Sequence, residues 1–269
     1  MSFGVVYSSS RSFDFSCLMN VCILCANGGS EMRQMGKLVR RVMLCAVMIA
    51  CASFGASIAS AADREGPASH VIELFTSQGC SSCPPADAYI GQLAQYPNTI
   101  VLSWHVDYWD YIGWQDSFAH PHFTKRQKQY ARVNGLESIY TPQFVHNGVE
   151  IIAGFRPSEV INSLNLPVPE APPITKTDES LIISPLGSGG PFGVSRIWYA
   201  PETNVHILQG ENTGKQLNYF NTVRAVEHLS QWSGADQIRV ELATARSGLE
   251  SVVLVQDRVT MRIVAAWHD

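Results

Sequence analysis

The residues best suited to chemistry in this sequence are Cys80 and Cys83, separated by Ser81 and Ser82. A dithiol at this spacing can form a disulfide, exchange it with an external thiol, or bind a thiophilic metal ion. A disulfide across so short a loop removes little entropy from the unfolded chain, so it is a poor staple and points to chemistry. The flanking residues say where the pair sits. Residues 70–75 form an apolar run with β-branched and aromatic content, bounded by Thr76, Ser77, Gln78 and Gly79, and read as a buried strand. After Cys83, Ala86, Ile90, Leu93 and Ala94 recur at helical spacing, with Asp87 in the first turn where it suits the dipole. Pro84 and Pro85 are harmless there, because first-turn N–H groups have no intrahelical partner. The dithiol is therefore predicted at a strand-to-helix junction. A helix N-terminus stabilises a thiolate, which makes Cys80 the nucleophile and Cys83 the resolving cysteine.

The chain has 269 residues, 46% of them hydrophobic and 16% charged, too apolar for a disordered protein and long enough for one large domain or two modest ones. The net charge of -4, with no basic stripe, argues against nucleic acid as a partner. Lys37, Arg40 and Arg41 precede an apolar stretch over residues 42–50 that grades into Ala59, Ser60 and Ala61. This is the layout of a secretory signal peptide cleaved after Ala61, leaving no integral membrane segment and a periplasmic or secreted protein. The alternatives are an uncleaved anchor helix, a twin-arginine signal at Arg40 and Arg41, and a poor lipidation box ending at Cys51. Residues 1–31 precede the normal start of such a signal, so translation is expected from Met32 or Met35. Cleavage removes Cys17, Cys22, Cys25, Cys45 and Cys51 and leaves only Cys80 and Cys83. Two cysteines placed at random in the remainder would fall three apart about once in a hundred times.

Further along, residues 99–107 read as a strand, residues 123–133 as a helix, and Gln143, Phe144 and Val145 as a strand joined by Asn147-Gly148 to another over residues 149–152. This order, with Thr141-Pro142 opening the third strand, resembles the thioredoxin superfamily. The stretches 75–87 and 105–110 are similar to a bacterial secreted thioredoxin-like family, and residues 210–214 and 221–224 extend the likeness toward the C-terminus. The resemblance implies an α/β thioredoxin-like domain over residues 62–165. It also implies a cis Thr141–Pro142 bond beside the dithiol, whose exposed backbone pairs with an extended substrate, and an acidic residue behind the dithiol. Glu73 takes that last place, as proton acceptor for Cys83, only if one residue is inserted before Cys80; otherwise it is an edge or solvent-facing carboxylate. The two serines between the cysteines differ from better-known members, so the direction of electron flow does not carry over.

Residues 104–114 hold three tryptophans and two tyrosines. Trp104 and Trp109, with the carboxylates of Asp107 and Asp110, either pack the core or form a substrate-recognition loop near Cys80. His105 is either a structural histidine or a ligand or proton relay.

The proline-dense residues 166–173 read as a stiff linker, with a smaller, mostly antiparallel, sandwich-like β domain over residues 174–269. Its expected strands cover residues 181–183, 194–199, 205–208, 238–242, 252–255 and 263–267. Arg224 beside Asn221 either pairs structurally or holds an anion or a partner carboxylate. The domain is expected to dock on the first and shape access to its site.

Three functions fit these residues. The first is an exported thiol-disulfide oxidoreductase acting on protein or small-molecule thiols and disulfides, with no cofactor beyond its own redox-active disulfide. The second is a metal-handling protein binding Cu(I) through Cys80, Cys83 and His105 or His146. The third is a binding module with an inert dithiol.

Overall fold

The computed structural model describes residues 65–168, 170–187, 189–242 and 245–269. The signal-peptide reading, the downstream start at Met32 or Met35 and the five N-terminal cysteines lie outside the described residues. Twelve strands and three α-helices follow β1 (Gly66–Ala68), β2 (His70–Thr76), α1 (Pro84–Leu93), β3 (Thr99–His105), α2 (Pro121–Val133), β4 (Gln143–His146), β5 (Glu150–Ala153), α3 (Pro157–Ser163), β6 (Ile174–Thr177), β7 (Ser180–Ile183), β8 (Phe192–His206), β9 (Gln216–Trp232), β10 (Ile238–Glu241), β11 (Glu250–Asp257) and β12 (Ile263–His268).

Nine strands form one sheet in the order β1-β12-β11-β8-β9-β3-β2-β4-β5, and β10-β7-β6 form a second. This overturns the expected fold class. The chain is mainly β, built on a sheet that runs from residues near the dithiol to the C-terminal strands, and is not an α/β thioredoxin-like fold with a separate small sandwich. The reason lies in β8 and β9. They pair antiparallel over 15 and 17 residues, and β9 also lies parallel to β3 at Ser103 and Thr222. An open β3 edge would leave backbone groups unpaired, and β9 covers it.

Side chains complete that junction, since the Ser103 hydroxyl donates to the Phe220 carbonyl at 2.9 Å and the Asn221 amide to the Val101 carbonyl at 2.9 Å. Asn221 has a positive φ of 46° and falls opposite Pro201, between the registered pairs Ala200–Thr222 and Glu202–Phe220. A proline offers no N–H to the ladder, so its partner strand can turn there and direct Asn221 to β3 instead. Pro201 also explains why β8, one continuous strand, reads in the sequence as two short runs. At Gly91 in α1 the Phe220 ring lies 3.1 Å from where a β-carbon would stand, so a larger residue there would have to push the ring back by a few tenths of an ångström.

Strand β2 runs through the interior. Val71 and Phe75 join Leu102, Trp104, Phe123 and Tyr130 in one core, whereas Ile72 and Leu74 join Ala86, Ile90 and Leu93 of α1 in another. The two-residue period thus gives β2 an α2 face and an α1 face.

Candidate active site

After β2 the chain turns through Ser77, Gln78 and Gly79 into Cys80, and α1 begins just after Cys83. The two cysteines are joined in a disulfide with a Cα–Cα distance of 5.4 Å. Cys83 is the N-cap of α1, its carbonyl accepting from the N–H groups of Ala86 and Asp87, and no side chain caps this helix end. The strand-to-helix placement expected for the dithiol is therefore what the structure shows. Cys80 is 1% exposed and Cys83 0%, while Ser81 and Ser82 between them lie on the surface.

The Thr141–Pro142 peptide bond is cis. β4 pairs antiparallel with β2, Phe75 opposite Gln143, which sets Pro142 across from Thr76 at the dithiol end of the strand. The carbonyl of Pro142 accepts from the Gly154 N–H at 2.9 Å, so it is already engaged within the protein.

Two segments cover the dithiol loop. Trp109 and Ile112 pack on Gly79, where an added β-carbon would meet each at 3.2 Å, and the Trp109 indole donates to the Thr141 hydroxyl at 2.7 Å. From the turn between β8 and β9, Asn212 is wholly buried and donates to the carbonyls of Gln78 at 2.9 Å and Cys80 at 3.0 Å. Lys215 orients that amide by donating to its oxygen at 2.8 Å. The motif over residues 210–214 is thus a clamp on the dithiol loop.

A buried acidic cluster lies on the α1 side. Asp87, one turn after Cys83, accepts from the Thr76 hydroxyl at 2.6 Å, while its second oxygen has no partner. Burial pushes its pKa up to about 7, against the opposing pull of nearby His105. His105 shares Nδ1 with Asp116 at 2.7 Å and leaves Nε2 buried without a partner. Burial opposes the Asp116 charge, but His105 and the N–H groups of Gln78 and Phe118 outweigh it and lower its pKa. Tyr219 packs edge-on to His105 at 5.0 Å, and its hydroxyl is also buried without a partner. Neither Asp87 nor Asp116 was singled out for chemistry by the sequence, though an acidic residue one turn after a dithiol was the available signal for Asp87.

Glu73 points the other way. It is wholly buried on the α2 face of β2, where Arg126 binds it through Nε at 2.7 Å and Nη2 at 3.0 Å and the Tyr130 hydroxyl donates to it. It is neither an edge nor a solvent-facing carboxylate, and the alternation of β2 separates it from the helix that carries Cys83.

The aromatic stretch is divided. Trp104 is core, packed edge-on against Phe123 at 5.1 Å, and Trp109 bridges the dithiol loop and Thr141. Asp107 accepts from Thr124 of α2, and Asp110 opens a short 3-10 turn and accepts from the Asp116 N–H at 3.1 Å. Both carboxylates hold protein groups. His146 lies at the opposite end of β2, across from Ile72, and shares a ring-nitrogen contact of 3.0 Å with His70. Burial pushes its pKa down to about 4. Among the described residues, no group of three or more His, Cys, Asp or Glu side chains is placed to hold a metal ion.

A family model described as a protein of unknown function, DUF1223, matches residues 71–256. The chain belongs to this family. The match begins in β2 and ends at Gln256, whose side chain accepts from Arg126 at 2.9 Å, so it takes in the dithiol, Pro142, Asn212 and Asn221. No curated protein matches the sequence. Among solved structures, the chain is similar to a crystallographically determined protein of Agrobacterium tumefaciens, with 29% identity and a TM-score of 0.60 over 74% of this chain and 91% of that one. It is also similar in fold to HBP35 of Porphyromonas gingivalis, with 13% identity and a TM-score of 0.50 over 77% and 76% of the two chains.

Proposed function

We propose that this chain is an exported thiol-disulfide oxidoreductase acting on protein or small-molecule thiols. The observation that carries this reading is the Cys80–Cys83 disulfide at the start of α1, with Cys83 as an N-cap that has no side-chain competitor. In the oxidising direction, a substrate thiolate attacks the Cys80 sulfur, the Cys80–Cys83 bond breaks, and Cys83 leaves as a thiolate. A second substrate thiol then displaces Cys80, so the substrate gains a disulfide and the protein is left as a dithiol. The reducing direction runs the same steps backward. The charge on Cys83 is favoured by the helix dipole, and Asp87 supplies or accepts its proton, since a carboxyl near pKa 7 is matched to that exchange at neutral pH.

Kinship with the thioredoxin superfamily is part of this proposal. It is limited to the arrangement of strand, dithiol, helix and cis-proline strand around Cys80, and does not extend to the fold of the chain. Cys80 is closed off in the oxidised protein, so exchange requires the segments around Trp109 and Asn212 to open locally.

The test is trapping. Cys83→Ser is expected to accumulate mixed disulfides through Cys80 with exported proteins, and Cys80→Ser and the double variant none. A reduction potential of about -120 mV would mark an oxidant and one of about -270 mV a reductant. If Cys83→Ser traps nothing and the wild-type disulfide resists glutathione and dithiothreitol until the protein unfolds, the proposal fails.

A further inference from the structure

A cavity of about 580 Å³ opens between α2 and β9, and it shares no lining residue with the dithiol. A second, of about 420 Å³, adjoins it along Lys125, Arg126, Gln129, Val226 and His228, so the two form one groove between α2 and the β8-β9-β11 face of the sheet. Their volumes lie in the range of small-molecule sites.

The groove is lined by Lys125, Arg224, Arg258, His120, His122 and His228, and no carboxylate among the described residues lines it. That is the reverse of the chain as a whole, whose net charge is -4. Three of its cations also lack a carboxylate. Arg126 is held by Glu73, but Lys125, Arg224 and Arg258 form no ion pair with a described residue. Arg224 is half-buried, lies 3.7 Å over the Phe118 ring, and among the described residues its side chain makes one hydrogen bond, at 3.3 Å to Thr203. Burial works against its charge. The carboxylate whose field supports it, Asp116, is spent on His105 and two backbone N–H groups. A partly desolvated guanidinium with no carboxylate partner leaves most of its donor capacity for a ligand oxyanion.

The floor supplies the other half of the site. Trp104 and Phe123 line the cavity, both buried, with the Arg126 guanidinium 4.9 Å over the Trp104 ring, and the Trp104 indole N–H has no hydrogen-bond partner among the described residues. Aromatic walls with an unused donor, beneath a rim of unpaired cations, suit a molecule with an apolar body and an anionic head.

We propose that this groove binds a small organic anion, with its carboxylate or phosphate on Arg224 and Lys125 and its apolar part against the wall formed by Phe123 and the Arg126-capped Trp104. The site is independent of the dithiol chemistry and does not rest on it. Isothermal titration of the purified chain with phenyl phosphate, benzoate, inorganic phosphate and benzyl alcohol tests it. At least one aryl anion is expected to bind saturably, with the stronger of the two identifying the headgroup, while neutral benzyl alcohol does not. Arg224→Ala should weaken binding at least 10-fold. Lys125→Ala, on the exposed face of α2, should weaken it several-fold and serves if the first variant does not fold. The proposal is overturned if neither aryl anion binds saturably or if benzyl alcohol binds as tightly as the anions. It also fails if both variants leave the dissociation constants within two-fold of wild type, or if inorganic phosphate binds as tightly as phenyl phosphate.

Discussion

Glu73 in β2 and Asp87 in the neighbouring α1 are both buried carboxylates, yet they lie on opposite faces of that strand and in opposite chemical situations. Glu73 meets a fixed guanidinium in a two-point contact, a phenol, and through Arg126 the amide of Gln256 at the far end of the family segment. Asp87 receives one hydroxyl and no cation in contact, and burial raises its pKa to about 7. A buried charge that is fully paired holds strands and helices together. One that is half-satisfied remains free to change its protonation state, which is the property a proton acceptor needs.

The largest expected effect breaks the paired side. Glu73→Ala leaves Arg126 without its counter-charge and should lower stability by about 3 kcal/mol in chemical denaturation, leaving the reactivity of the folded dithiol largely intact. Equal stability, with loss of exchange, would reverse the roles assigned to the two carboxylates.

The next prediction concerns Asp87. Its pKa is higher in the folded protein than in the unfolded chain, so from about pH 4 to about pH 7 the folded state binds more protons and stability falls as pH rises. The burden is fully present above pH 7 and absent below pH 4. Asp87→Asn should therefore melt later than wild type at pH 8, by an amount on the order of 2 kcal/mol, and show little difference near pH 4. It should also slow the release step at Cys83 by about 100-fold in stopped-flow thiol exchange. An unchanged rate would remove Asp87 from the chemistry.

Asn212→Ala removes the clamp on the Gln78 and Cys80 carbonyls, with an expected stability loss of about 1 to 2 kcal/mol. Reduction of the disulfide by glutathione should become faster, because the cover opens more often. The smallest effect is expected for Trp109→Phe, which keeps the packing on Gly79 but loses the hydrogen bond to Thr141, about 1 kcal/mol by thermal melting.

The elements nearest the dithiol were legible because each carries a local signal. The apolar run of β2, the 3-4 spacing in α1, and the Asn147-Gly148 turn between β4 and β5 depend on residues close in the chain, and the structure places all three where they were expected. Strand β9 gave no such signal. Its 17 residues mix exposed, partly exposed and buried positions without a clean apolar face, and it becomes a strand by pairing with β8 and covering the edge of β3. Missing it hid the single large sheet. The family stretches at residues 210–214 and 221–224 were visible as motifs, but their purpose lay in bonds to Cys80, Gln78 and Val101 over more than a hundred residues of chain.

The amino-acid order alone determined that Cys80 and Cys83 stand between a strand and a helix, since residue spacing and dipole direction are local properties. Which buried carboxylate lies on the dithiol's side of β2 was decided only by the fold. Glu73 and Asp87 are alike as carboxyl groups and in burial, and what separates them is the partner that folding brings to each: a guanidinium from α2 for one, a lone hydroxyl for the other.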